Sequence, residues 1–241
     1  MQSGLYVVLS AQLSLQRRVD TIANNIANTS TAGYRAEEVK FETLLSRTPS
    51  DPVAFASIGD TYISRRSGEF VKTDNPLDIA VQGDAWFAIN TPAGRVYTRD
   101  GRMRMTDTGQ LQTLNGHPIL DVGGAPIQLD PAGGTPRIAR DGMITQNNRQ
   151  IGAIGLFNIP EDAKLHRYEN SGVVPDKQAV PALDFTKTGI TQGFMERANI
   201  NPVMEMTRLI GVSRAFDAVT NALSESENTL RDAVKTLGSK S

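Results

Sequence analysis

Two histidines (His117 and His166), three aspartates (Asp74, Asp78 and Asp84) and two glycine pairs (Gly123-Gly124 and Gly133-Gly134) are the groups from which a reaction could be assembled in this sequence. A histidine can act as a general base or bind a metal, clustered carboxylates can hold a hard cation, and a glycine-rich turn can cradle phosphate. The arrangements those chemistries need are missing. His117 follows Asn115-Gly116 and precedes Pro118, a turn setting in which a histidine is more often solvated than catalytic. The aspartates lack the fixed spacing of a calcium loop, and the glycine pairs lack the strand-to-helix context of a phosphate cradle. Cysteine is absent, which removes disulfides, thiolate catalysis and Cys-ligated metals together. No catalytic residue, cofactor or metal is expected.

The chemistry that remains is hydrogen bonding by amides. Asp20 to Arg35 reads DTIANNIANTSTAGYR. On a helix, Ile22, Ala23, Ile26 and Ala27 fall together while Asn24, Asn25 and Asn28 fall opposite. Asparagine costs about half a kcal/mol or more relative to alanine inside a helix. Three of them on one face are therefore either solvated, with Asn28 helping to end the helix, or bonded to neighbouring subunits, since an amide both donates and accepts.

The elements that would carry these residues can be read from periodicity. Leu5, Val8, Gln12, Leu15, Val19, Ile22 and Ile26 recur at steps of three and four, the seam of a helix that packs on another helix. The same steps return through Leu209, Val212, Phe216, Val219, Leu223, Ser226, Leu230, Ala233 and Leu237. Asn201-Pro202 starts this second helix, because Asn caps free amides and Pro at the first position lacks a donor that would be unsatisfied anyway. From Pro202 to Leu237 it would reach about 54 Å at 1.5 Å per residue, more than a small domain can cover. Between the helices, LDIAV, WFAIN, RVYTR and QLQTL alternate with Asp100-Gly101, Asn115-Gly116 and Asp141-Gly142, which are strand and hairpin signals.

The fold class read from this is α+β, with N- and C-terminal helices paired as a coiled coil and a central antiparallel β domain. Residues 1–36 form the first half of an inner coiled-coil domain, 37–74 an extended connector, 75–159 the β domain, 160–200 a return connector, and 201–241 the second half of the coiled coil. Asn75 to Val81 is read as a turn entering a strand, Trp86 and Phe87 as core, Arg99-Asp100-Gly101 as a hairpin tip, and Met204 and Met206 as gap-fillers at an interface.

Composition narrows the partners. The 241 residues are 39% apolar, enough for a core, and the net charge of −1 leaves no footprint for nucleic acid. The N-terminal apolar stretch precedes Arg17 and Arg18, the reverse of a secretory signal. The run from Leu5 to Leu9 is far short of the roughly 20 residues that cross a bilayer. Neither a cleavable signal nor membrane insertion is expected. Two amphipathic helices at opposite chain ends are satisfied when the ends return and pack seam to seam, and more fully when many copies cover one another's remaining surface in a filament with heterologous contacts.

Three stretches carry a resemblance. LSAQLSLQRRVDTIANNIANTSTAGYR resembles the N-terminal signature of the bacterial flagellar axial proteins that form rod and hook. SGEFVKTDNPLDIAVQGDAWFAINTPAGRVYTRDGRMRMTDTGQLQTLNGHPILD is similar to that family's central motif, and ANINPVMEMTRLIGVSRAFDAVTNAL to its C-terminal one. Tyr34 and Arg35 stand where many members carry Phe and Lys, and Trp86 where Phe or Gly is common. The resemblance implies a non-enzymatic subunit of the basal-body rod in the periplasm. It would be exported unfolded by the flagellar type III apparatus and would pass torque while packed against copies of itself and other rod proteins, its terminal helices forming an inner layer around an axial channel. Length and the MQSGLYVVLSAQ opening resemble the proximal-rod branch; the distal-rod branch and a non-flagellar coiled-coil oligomer are the alternatives. The subunit-packing residues would be Leu5, Val8, Leu15, Val19, Ile22, Asn24, Asn25, Ile26, Asn28, Leu209, Val212, Phe216, Val219, Leu223, Leu230 and Leu237. A membrane-surface helix is disfavoured, because neither terminal helix has a dense Lys/Arg face.

Overall fold

The structure, a computed structural model, describes residues 2–40, 43–45, 54–56 and 60–238. The chain forms two units: unit 1 comprises Met1–Ala27, Glu37–Thr61 and Asn201–Ser241, and unit 2 comprises Asn28–Ala36 and Tyr62–Ile200.

Unit 1 is built on helix α1, Gln2–Ala27, and helix α2, Pro202–Gly238. The two helices pack against each other, and α1 also touches the short strand Ala54–Ala56, which pairs antiparallel with Thr43–Leu45. Helix α2 starts where local chemistry dictates. The Asn201 side-chain oxygen accepts from the amides of Val203 and Met204 at 3.1 and 3.2 Å, and Glu205 sits in the first turn, where a carboxylate suits the helix dipole. Helix α1 stops at Ala27, earlier than residue 36, because Asn28 begins a turn: its carbonyl and side-chain oxygens each accept from Thr31 at 3.1 Å. Gly33 then takes a φ of 66°, outside the helical region.

Unit 2 is antiparallel β throughout its described pairings. Its largest sheet has six strands in the order Leu165–Tyr168, Gly172–Pro175, Gly94–Thr98, Ala85–Thr91, Leu156–Asn158 and Val180–Pro181. The central strand AWFAINT is buried on both faces, which explains its nearly unbroken apolar run. Ala85, Phe87 and Ile89 join one core with Ile79, Val96, Leu111 and Ile144, while Trp86 and Ala88 join a second with Tyr97, Phe157 and Val173. The strand period of two thus divides one segment between two cores. Trp86 and Phe87 are core residues, and Asn75–Asp78 is a turn feeding the strand Ile79–Gln82.

The β unit is larger than 75–159. Strands from 165 to 181 complete the large sheet, Gly189–Gln192 pairs with Ile79–Gln82, and Phe194–Glu196 pairs with Phe70–Lys72. The segments read as connectors on either side therefore supply sheet edges. Their strands are only two to four residues long, too short for alternation to be visible before their partners are known.

Candidate functional site

Ile22 and Val212 are buried, and Val8, Leu15, Val19, Ile26, Leu209, Phe216, Val219 and Leu223 are half-buried. The side chains of Leu5, Leu230 and Leu237 lie outside the described residues. On α1 the buried face is rotated from the one the pattern indicates: Ser14, Thr21, Ile22 and Asn25 are buried, whereas Ala23 and Ala27 are exposed. The reason is Asn25. Its side-chain amide donates to the carbonyl of Glu37 and accepts from that residue's amide, both at 2.9 Å, in the manner of a backbone ladder. A polar residue is worth burying when its hydrogen bonds are met. Asn25 thus ties α1 to Glu37 within unit 1. Asn28 ends the helix, and Asn24 is exposed.

Exposed apolar side chains remain on α2. Val203 is 71% and Ile210 55% accessible, and Met206 lies between them on the same face at helical spacing. Met204 is also exposed. Helix α1 leaves Leu9 and Leu13 exposed in the same way.

A polar cluster is buried inside unit 2. Arg35, Arg99 and Glu196 are each 1% exposed. Glu196 Oε1 lies 2.7 Å from Arg35 Nη2 and accepts from the Gly68 amide at 2.8 Å, and Oε2 lies 3.6 Å from Arg99 Nε. Both guanidinium carbons stand 5.6 Å from the centroid of Trp86, within cation–π range. Arg99 also donates to the carbonyl of Val81 at 3.0 Å and to that of Gly83, and Arg35 donates to the carbonyl of Arg66. Burial, and after it the like charge of Arg99, lowers the Arg35 guanidinium to about 10 against the opposing pull of Glu196 and Asp84. Burial lowers Arg99 as well, again opposed by Glu196.

Arg99 is thus a core residue and not a hairpin tip. The turn beside it is held by Asp100, which grips Arg102 through both carboxylate oxygens at 2.9 and 2.8 Å and, chiefly by that hydrogen bonding, raises the Arg102 pKa. Sequence reasoning missed Arg35, Arg99, Glu196 and Asn199, because single charged residues read as surface. Their one signal was position: each lies inside or beside a stretch that carried the family resemblance.

The two histidines and the three aspartates do not converge. His117 Nε2 lies 3.2 Å from Glu169, His166 is exposed, and Asp74 and Asp84 are exposed while Asp78 is buried against Asn75. Among the described residues no three acidic or histidine side chains are grouped to hold a metal, and no helix is long and apolar enough to cross a membrane.

Comparison with known proteins bears on the whole chain. Residues 5–35 match the model of the flagella basal body rod protein, 80–146 that of the flagellar hook protein FlgE/F/G D1 domain, and 191–236 that of the flagellar basal body rod FlgEFG protein C-terminal region. The flagellar basal-body rod protein FlgF of Mesorhizobium japonicum is 52% identical over 241 residues, the full length of both chains. That of Rhizobium meliloti is 46% identical over 99% of each. The basal-body rod protein FlgG of Bacillus subtilis is 29% identical over 97% of this chain and 98% of its own.

Proposed function

The chain belongs to the flagellar basal-body rod protein family, and we propose that it is a proximal-rod subunit that carries torque from the motor toward the hook. It is a structural protein of the rod, most like FlgF. The observation that carries this reading is the match at 52% identity over the full length of both chains. The FlgG relative, at 29%, is the reason for preferring FlgF.

The mechanism follows from what unit 1 leaves uncovered. Helices α1 and α2 pair as a coiled coil, and the pair then packs against helices of neighbouring copies and of other rod proteins. Leu5, Val8, Leu15, Val19, Ile22, Ile26, Leu209, Val212, Phe216, Val219, Leu223, Leu230 and Leu237 form the apolar contacts, with Asn24 on the outer face. Exposed Val203, Met206 and Ile210 support this reading: each apolar side chain covered on assembly contributes roughly 1.5 to 3 kcal/mol. Dense packing then gives stiffness, because close-packed interiors resist compression and transmit strain. The subunit travels unfolded through the type III export apparatus and assembles in the periplasm.

Leu223→Asp tests the mechanism. In cells lacking the wild-type chain, the variant is expected to be absent from purified basal bodies and to leave cells unable to swim. The urea midpoint of unit 2, followed through its single tryptophan, stays at the wild-type value. Normal swimming by this variant would rule out the helix-packing mechanism.

A further inference from the structure

The chain passes between its units at 27/28, 36/37, 61/62 and 200/201. Inside unit 2, the three segments that adjoin these passages are bound to one another by a small set of side chains. Asn199 joins all three: its Oδ1 accepts from the Ala36 amide at 2.7 Å, its Nδ2 donates to the Arg66 carbonyl at 2.8 Å and to Ser64 Oγ at 3.3 Å, and its own amide donates to the Tyr34 carbonyl at 3.3 Å. Glu196 repeats the pattern. Its backbone carbonyl accepts from the Gly33 amide at 2.8 Å while its carboxylate takes the Gly68 amide and Arg35. Arg35 closes the ring by donating to the Arg66 carbonyl, and the Ser64 amide donates to the Ala36 carbonyl at 2.8 Å. The backbones are also in close contact, since a Cβ on Gly68 would stand 1.9 Å from the Arg197 carbonyl oxygen.

We infer that Arg35, Glu196 and Asn199 are a clamp that makes segments 28–36, 62–68 and 193–200 one mechanical element, so that load arriving along any connection enters unit 2 at the same place. The chemistry suits that task better than an apolar core would. Hydrophobic contact is non-directional and lets strands slide, whereas hydrogen bonds and ion pairs weaken steeply once their geometry is lost. Burying three charges adds little net stability, so rigidity and register are what the cluster supplies. The load in question is the torque of the rod reading, on which this inference rests.

Hydrogen–deuterium exchange on the full chain tests the clamp directly, using Glu196→Gln and Asn199→Ala. In either variant the amides of Gly33, Ala36, Ser64 and Gly68 are expected to accelerate together, by about tenfold or more beyond the acceleration that lowered stability of unit 2 gives Phe87 and Val96 in the sheet. Two results overturn the clamp: extra acceleration confined to the amide that bonds the altered side chain, or equal acceleration throughout unit 2. In cells, both variants should enter basal bodies, swim in dilute medium and stall in viscous medium; wild-type swimming in both media overturns the load-bearing role. If the wild-type chain is absent from basal bodies, the rod reading fails instead, and the exchange result still decides whether the clamp exists.

Discussion

Removing the Glu196 carboxylate is the most severe test of the buried cluster. In Glu196→Ala, Arg35 and Arg99 keep their charges at 1% exposure with no anion between them. Even with Glu196 present, burial lowers Arg35 to about 10, well below the ordinary guanidinium value. Holding it charged in the folded state therefore already costs on the order of 3 kcal/mol. Breaking a buried pair by deleting one partner costs about 3–5 kcal/mol, and the Gly68 amide loses its acceptor as well. With an m-value of about 2 kcal/mol per molar urea, the midpoint for unit 2 should fall by about 2 M. Trp86, the only tryptophan, lies against both guanidinium groups and reports the transition by fluorescence. A triple variant, Arg35→Met, Arg99→Met and Glu196→Leu, should lose less than Glu196→Ala, because it removes the charges instead of stranding them. A loss below about 1 kcal/mol in Glu196→Ala would refute the reasoning, since the cluster would then be behaving like a surface ion pair.

Gly33→Ala should destabilise unit 2 beyond the roughly 1–2 kcal/mol of a left-handed backbone, because a Cβ there would stand 2.1 Å from the Asp100 amide nitrogen. Gly94→Ala, at φ +99 with nothing within 4 Å, should show the backbone cost alone, and comparing the two urea midpoints separates the effects. Asn201→Ala removes the acceptor for two amides at the start of α2; a loss of about 1 kcal/mol should appear in far-ultraviolet circular dichroism as earlier melting of the helices. The hydrogen bond from Lys177, and then its charge, hold Asp162 below the ordinary carboxylate value of 3.8. The pair's contribution is therefore present above that value and lost as pH falls through the lowered one, so in Lys177→Met an NMR titration should find the Asp162 midpoint moved upward.

The sequence by itself determined the features that depend on neighbours in the chain. Asn201-Pro202 opens α2 because capping uses amides two and three residues away. The AWFAINT strand and its division between two cores follow from a period of two, and Asn115-Gly116 and Asp141-Gly142 turn with glycine φ of 88° at both. The Leu209 to Leu223 seam is visible because helical spacing is local. Tertiary structure alone decided the fate of the polar residues. Nothing near Asn25 announces that its amide will serve Glu37, and nothing near Arg35 announces a carboxylate at residue 196, because a charged or amide side chain has the same local signature on a surface as in a core. Edge strands such as Val180–Pro181 were hidden for the same reason: two residues carry no period, and their burial is set by the strand they meet. Local pattern fixes the elements, while burial of polar groups is fixed only when distant segments bring matching donors and acceptors together.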